Sequence, residues 1–148
     1  MKKMITLILV FVIAVLSSGC MDSGTMSKYD IYIQLYDNDV EEYNPVINEL
    51  IEKQENYTAA YEAYINASDK DAKENELDEA LDQLITAENN YRSTANNIYR
   101  HLNEFESFVI SNEDTLERKG VDTVQLKADI QDWKEEIRYN LNQFQLNL

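Results

Sequence analysis

Two residue types that could do specific chemistry occur once each in the chain, a histidine and a cysteine. His101 stands beside Leu102 in an amphipathic stretch, and Glu104 follows three residues later on the same helical face. A di-iron site of the ferritin type needs a Glu-x-x-His motif on each of two helices, which a single histidine cannot supply. Zinc sites with several histidine or cysteine ligands are excluded by the same count. His101 is therefore predicted to be a solvated residue near a carboxylate, and no metal or cofactor is predicted.

Carboxylates are abundant, since the chain has 28 Asp and Glu residues. The run at 37–39, Asp-Asn-Asp, followed by Glu41 and Glu42, offers oxygen ligands of the kind that calcium uses. It lacks the glycine that makes the sharp turn of an EF-hand loop. No nucleophile elbow, P-loop or Gly-x-Gly-x-x-Gly motif occurs in the sequence. The prediction is a protein without catalytic residues; Asn56 and Asn66 match the glycosylation acceptor pattern, and their use is left open.

The cysteine, Cys20, follows a segment with the composition of a secretory signal. Lys2 and Lys3 precede an apolar run at 4–16 that contains no charged residue. The run is too short for a permanent membrane helix, which needs about 20 apolar residues. The small residues Ser-Ser-Gly at 17–19 then lead into Cys20.

The sequence Leu-Ser-Ser-Gly-Cys at 16–20 resembles the lipobox of prokaryotic membrane lipoproteins. The resemblance covers only about the first twenty residues. It implies that the peptide bond before Cys20 is cut and that the thiol is acylated. Ser17 departs from the pattern, because an aliphatic residue is more usual three places before the cysteine. A retained N-terminal anchor, or cleavage elsewhere with Cys20 incidental, is the alternative.

The resemblance, together with the composition of the rest of the chain, predicts three segments, and the processed protein is expected on the extracytoplasmic side of the cell membrane. Residues 1–19 are the signal peptide, 20–28 are the lipidated cysteine with a flexible tether, and 29–148 are an acidic helical domain. The signal holds two of the 13 Lys and Arg residues and none of the acids, so the mature chain carries 11 − 28 = −17 charges. Such a chain is repelled by nucleic acid and by anionic lipid headgroups. Nucleic-acid binding is therefore not expected.

The composition after the signal favours an all-α fold, because only two glycines and one proline, Pro45, remain for turns. Apolar positions alternate spacings of three and four along a first helix, which is the pattern of a heptad seam. The seam residues are Ile33, Tyr36, Val40, Tyr43, Ile47, Leu50, Gln54, Tyr57, Tyr61 and Tyr64. Ser27 or Asp30 is a candidate cap, and Pro45 predicts either a kink or a true start near Asp39.

A polar break at 66–71 separates this helix from a second one, for which Asp71 and Glu74 form a plausible capping pair. The second seam comprises Leu77, Leu81, Leu84, Glu88, Tyr91, Ala95, Ile98, Leu102, Phe105 and Val109. The stretch at 111–119 is either a loop with a short turn or a continuation of this helix, and Gly120 is the predicted terminator.

A third helix is predicted to start at Asp122 or Thr123. It would bury Leu126, Ile130, Trp133, Ile137, Leu141, Phe144 and Leu148. Three amphipathic helices with short connections fold most simply as an antiparallel three-helix bundle with coiled-coil-like heptad seams.

Two polar residues interrupt the first and second seams, Gln54 and Glu88. If the chain turns at 66–71, the two positions lie within about one helical turn of each other. The favoured interpretation is a buried polar layer that fixes the register of the helices. A ligand or cation site, or an exposed seam edge without a polar layer, is the alternative.

The end of the first hairpin is predicted to lack cover, because the third helix reaches back along helix two only about as far as Leu84. The residues left without a third helix are Tyr57, Tyr61, Tyr64, Ile65, Leu77 and Leu81. Tyrosine is favoured at interfaces, so these residues form a candidate surface for a protein partner or a second copy. The alternative is that the rings merely close the hairpin.

The sequence thus predicts a lipid-anchored extracytoplasmic protein that acts as a non-catalytic interaction or structural module. The alternative is a sensor domain that binds a small ligand or cation.

Overall fold

A computed structural model of the protein describes residues 23–144. The four helices of this part are α1 (Ser23–Asn66), α2 (Asp71–Ser111), α3 (Glu113–Arg118) and α4 (Thr123–Gln143). No strand occurs in these residues, so the all-α prediction is confirmed. Cys20, the signal segment and Leu148 lie outside the described residues.

Helix α1 is one helix of 44 residues with Pro45 inside it, so the predicted start near Asp39 is wrong. A proline removes one hydrogen bond to the carbonyl four residues earlier, which here belongs to Glu41. Both Pro45 and Glu41 are exposed, and water can therefore satisfy that carbonyl. The predicted tether at 20–28 is also wrong in its described part, because residues 23–28 already belong to α1.

The core of α1 repeats every seven residues, at Tyr29, Tyr36, Tyr43 and Leu50, all of them buried. At the alternate seam positions near 39 and 53, the more buried residue lies one place earlier than predicted, whereas Val46 and Ile47 are both half-buried. Asp39 is buried whereas Val40 is half-buried, and Lys53 is half-buried whereas Gln54 is exposed. The seven-residue column that contains Tyr36, Tyr43 and Leu50 was therefore predicted correctly, and the second column of the α1 seam was not.

The seam of α2 is as predicted, with every position from Leu84 to Val109 buried. Helix α2 ends at Ser111, and the ambiguous stretch after it forms the separate short helix α3, which buries Leu116. The predicted cap of α2 is replaced, since Asp69 rather than Asp71 accepts a bond from the backbone N–H of Ala72 at 3.4 Å.

The connection from α3 to α4 follows the sequence prediction. Gly120 has a φ of 86° and terminates α3. Its N–H donates to the carbonyl of Glu117 at 2.9 Å, and the N–H of Val121 donates to the carbonyl of Leu116 at 3.0 Å. Asp122 caps α4 by accepting a bond from the N–H of Gln125 at 2.9 Å.

Helix α4 runs antiparallel to α2 and reaches Tyr91 at its described end. The ring of Phe144 lies 5.6 Å from that of Tyr91, and the carbonyl of Phe144 accepts a bond from Arg92 at 3.3 Å. Trp133 packs on Tyr36 with ring centroids 4.6 Å apart, so large aromatic rings connect α4 to α1. Beyond this level α1 and α2 continue to their turn at 67–70 as a two-helix hairpin.

Candidate functional site

The hairpin tip, defined as residues 51–83, is the part of the fold with the least cover. None of its side chains is buried, although Leu50 and Leu84 at its base are each only 2% exposed. This loss of burial begins just beyond the described end of α4. A helical pair with an apolar seam and no third helix leaves part of that seam in contact with solvent.

The six residues predicted for the partner surface all lie in the hairpin tip and all retain exposure. Tyr61 and Ile65 are exposed by 48% and 49%, respectively. The other four are half-buried, and these are Tyr57, Tyr64, Leu77 and Leu81. A contiguous exposed apolar surface is a feature of interaction sites, whereas isolated exposed apolar residues are common on any protein.

The tyrosine rings of the tip make contacts along α1. Tyr57 stacks on Tyr61, four residues later, with ring centroids 6.4 Å apart. The ammonium of Lys70 lies 5.2 Å from the centroid of the Tyr64 ring, a cation–π contact. Within residues 23–144, the aromatic pair of Tyr57 and Tyr61 lies within α1, and the cation–π contact of Tyr64 is made with the turn that follows it. Aromatic pairing of these three rings therefore does not join α1 to α2.

The predicted polar layer is wrong, because Gln54 is exposed. Its backbone carbonyl accepts a bond from the Thr58 hydroxyl at 2.8 Å. The half-buried residue at this level of α1 is Lys53 instead. Glu88 is buried as predicted, but its partner is Arg92 on the same helix, at 2.7 Å. Arg92 also donates to the Phe144 carbonyl, so this pair holds the end of α4 rather than the register of α1 and α2.

His101 and Asp39 form a polar contact between α1 and α2 that the sequence prediction missed. The Nδ1 of His101 lies 3.0 Å from one Asp39 carboxylate oxygen and 3.1 Å from the other. The side chain of Asp39 is 5% exposed and that of His101 is 22% exposed. His101 thus lies near a carboxylate, as predicted, but it is half-buried rather than solvated and the carboxylate is that of Asp39. Glu104 pairs with Arg100 instead, at 3.0 Å.

The neighbours of His101 determine which ring nitrogen carries the proton. Arg100 Nη2 lies 3.2 Å from His101 Nε2, and a guanidinium can only donate. Nε2 therefore accepts, and Nδ1 donates to the Asp39 carboxylate. These bonds join Glu104, Arg100, His101 and Asp39 in one chain across the two helices. No serine, threonine or tyrosine hydroxyl of residues 23–144 hydrogen-bonds to His101, so its described contacts are those of a structural pair.

Burial raises the pKa of Asp39, and the hydrogen bond from His101 offsets part of that rise. The pair adjoins a small void lined by Tyr32, Leu35, Tyr36, Leu102 and Phe105. This void is too small to admit a water molecule. The geometry therefore favours a contact that fixes the two helices over a ligand site.

Three polar side chains meet where α1, α2 and α4 come together. The hydroxyls of Tyr43 and Tyr91 are 3.2 Å apart, and Asn140 donates to the Tyr43 hydroxyl at 3.0 Å. Burial is the main reason that the pKa values of both tyrosines are raised. Both tyrosines were predicted to lie on the helix seams, but the contact between their hydroxyls was not predicted.

Helix α4 docks with lysines as well as apolar side chains. The ammonium of the buried Lys134 lies 2.7 Å from a carboxylate oxygen of Glu106 and 5.6 Å from the centre of the Tyr99 ring. Lys127 pairs with Glu113 of α3, and this contact lowers the pKa of the Glu113 carboxyl. Carboxylates of α2 and α3 thus form ion pairs with lysines of the docked helix α4.

Among residues 23–144, no group of three or more histidine, cysteine, aspartate or glutamate side chains is placed to hold a metal ion. No helix in the same range has the length and apolar composition needed to cross a membrane. Comparisons with protein-family models, curated proteins and solved structures gave no match.

Proposed function

We propose that this protein is a lipid-anchored interaction module on the extracytoplasmic side of a prokaryotic cell membrane, and that it presents the hairpin tip to a protein partner. The single observation that supports this role is the absence of burial along the tip, where tyrosine, leucine and isoleucine side chains stay in contact with solvent. The lipid anchor rests on the sequence pattern that ends at Cys20.

The length of α1 would separate the anchor from the tip. Cys20 precedes Ser23, the first residue of α1, by three positions. At about 1.5 Å per residue, the 44 residues of α1 span about 65 Å. An acyl chain on Cys20 would therefore lie at one end of the molecule and the hairpin tip at the other. One acyl chain binds a membrane only marginally, so stable anchoring requires more than one chain on the cysteine.

The charge of the domain supports the same orientation. A mature chain with 11 − 28 = −17 charges is repelled by anionic lipid headgroups. The helices would then stand away from the bilayer, with the tip available to proteins of the envelope.

The anchor is tested by replacing the cysteine. Wild-type chain should incorporate labelled fatty acid and sediment with membranes, whereas Cys20→Ser should lose the label. Equal labelling of the two proteins would exclude Cys20 as the acylated residue.

The interaction role is tested by crosslinking in the source cells. A photoreactive phenylalanine analogue at position 61 should give discrete crosslinked products, whereas the same analogue at position 139 should not. Tyr139 is a matched control, because it is 63% exposed on α4 and lies outside the tip. Identical product patterns at both positions, or none at either, would refute an interaction through the tip.

A further inference from the structure

The surface that α4 occupies on α1 and α2 continues into the hairpin tip. On α2, the residues that contact α4 recur every seven positions: Glu106 and Tyr99 at Lys134, and Arg92 at Phe144. On α1, Tyr36 and Tyr43 contact Trp133 with the same spacing. A heptad repeat keeps such columns on one side of a packed helix pair.

The same columns can be followed beyond the described end of α4. The column on α2 continues as Ile85, Asp78 and Asp71, and the column on α1 continues as Leu50, Tyr57 and Tyr64. Ile85, Tyr57 and Tyr64 are half-buried, and both aspartates are exposed. The space between these two columns, called the groove below, therefore has half-buried apolar side chains on both sides and a carboxylate at two positions of the α2 side.

The charge of the tip determines what the groove would accept. Residues 51–83 hold three lysines and ten acids, which gives 3 − 10 = −7 charges. All three lysines are already engaged, Lys73 with Glu76 at 2.8 Å, Lys53 with Glu52 at 3.6 Å and Lys70 with the Tyr64 ring. A second copy would bring another seven negative charges to the same groove, so electrostatic repulsion disfavours self-association.

The docking of α4 shows the kind of helix that fits. Its buried residues Ile130, Trp133 and Ile137 alternate spacings of three and four, and Lys134 on the same helix meets Glu106. Asp78 holds the heptad position of Glu106, 28 residues earlier in the chain. A lysine or arginine of an incoming helix would thus meet a carboxylate where Lys134 does.

We propose that the hairpin tip binds a cationic amphipathic helix of a partner protein, which continues the line of α4. Its apolar side chains pack on Tyr57, Tyr64 and Ile85, while its basic side chains pair with Asp78 and Asp71. The span from Leu50 to Tyr64 corresponds to about four helical turns. This inference rests on the proposed interaction role and names the chemistry of the partner.

The test measures binding of two labelled peptides to the full lipidated chain in zwitterionic nanodiscs. The first is an 18-residue amphipathic helix with apolar residues at alternating spacings of three and four and lysines beside them. The second has the same apolar residues and glutamates in place of the lysines. Fluorescence anisotropy should show saturable binding of the lysine peptide alone, and binding should weaken as salt is raised.

Variants locate the site. Asp71→Asn with Asp78→Asn should weaken binding of the lysine peptide about tenfold, since two charge-assisted contacts are lost. Asp114→Asn with Asp132→Asn makes the same change in charge at exposed positions outside the tip and should alter the affinity less than about twofold.

The apolar contact has its own pair of variants. Tyr64→Ser should weaken binding of the lysine peptide, and Tyr139→Ser should leave it unchanged. Circular dichroism of each variant verifies that the helices are intact. The result expected is therefore a loss of affinity confined to changes in the tip.

Several results would overturn the inference. These are equal binding of both peptides, equal loss of affinity in the two double variants, or no saturable binding. A dimer that Tyr64→Ser dissociates would identify a second copy as the occupant instead. If crosslinks at position 61 persist while the lysine peptide fails to bind, only the cationic partner is refuted. If neither is seen, the interaction role fails with it.

Discussion

The contact between Asp39 and His101 predicts an asymmetric response to mutation. His101→Leu removes the hydrogen-bond donor and leaves the Asp39 carboxylate, which is only 5% exposed, without its partner. Breaking a fully buried pair in this way costs about 3–5 kcal/mol, and an unsatisfied buried polar group costs about 1–3 kcal/mol. Because the His101 side chain is 22% exposed, water can reach part of the site. We expect a loss of about 2 kcal/mol in the free energy of unfolding at pH 7.5.

The reverse change should cost less. Asp39→Leu places an apolar side chain in the buried position and leaves a histidine that water can reach. Replacing both partners of a buried hydrogen bond by apolar groups of similar shape can be nearly neutral or stabilising. We therefore expect Asp39→Leu, and the double variant Asp39→Leu/His101→Leu, to lie within about 1 kcal/mol of the wild type.

The pH dependence has a defined sign. Burial raises the folded-state pKa of Asp39 above its unfolded value of about 3.9. The folded state then binds more protons, so this group's contribution to stability is fully present below pH 3.9 or so and is lost as pH rises through the folded pKa. His101 lowers that pKa, and its removal raises it further. The loss caused by His101→Leu should therefore be smaller at pH 5 than at pH 7.5.

Urea denaturation followed by circular dichroism measures these free energies at both pH values. The m-values should match that of the wild type, so that a change in midpoint reports stability alone. A larger loss for Asp39→Leu than for His101→Leu would refute the assigned burial of the carboxylate. A loss for His101→Leu that does not change between pH 5 and pH 7.5 would refute the linkage to Asp39.

Three further predictions concern the rest of the described fold. Gly120→Ala should destabilise the protein by about 1 kcal/mol in urea denaturation, because the φ of 86° at this position strains any L side chain. Gly24→Ala, at an exposed position of α1, should instead stabilise it by about 0.5 kcal/mol. Burial raises the pKa of Tyr36 to about 12, so the contribution of this protonated hydroxyl to the stability of the fold is lost as pH rises from about 10 through 12. Tyr36→Phe removes the titrating group and should therefore reduce the fall in Tm over that pH range. Gln54→Leu should change the free energy of unfolding by less than about 0.5 kcal/mol, since Gln54 is exposed. A larger change in urea denaturation would support the buried polar layer after all.

Local signals in the sequence were sufficient for the seam of α2, for the turn at Gly120 and for the start of α4. The seam of α2 has apolar residues at nearly every position, so only one register buries them. The start of α4 at Thr123 and the terminator at Gly120 depend on residues within one turn of the chain, and both predictions are confirmed. Local chemistry determined these features, and no distant contact was needed to predict them.

Contacts between distant residues explain what the sequence did not predict. In α1, the heptad column at 39, 46 and 53 and the neighbouring column at 40, 47 and 54 both contain apolar residues. Which of the two columns is buried depends on the side chains of α2 that face it. Asp39 occupies a core position because His101, 62 residues later, meets it there. Pro45 is tolerated because it faces solvent, which a local pattern does not show. The open hairpin tip, by contrast, was predicted from helix lengths alone.

Thiol labelling in native membranes tests whether a partner covers the hairpin tip. Cys20 is the only cysteine, and acylation would consume its thiol, so Tyr61→Cys introduces a single reactive group. The labelling rate with a membrane-impermeant maleimide should be lower in native membranes than in purified lipidated protein, whereas the rate at Tyr139→Cys should be the same in both. Equal rates at position 61 in the two preparations would contradict the account, because they would show a tip that no partner covers.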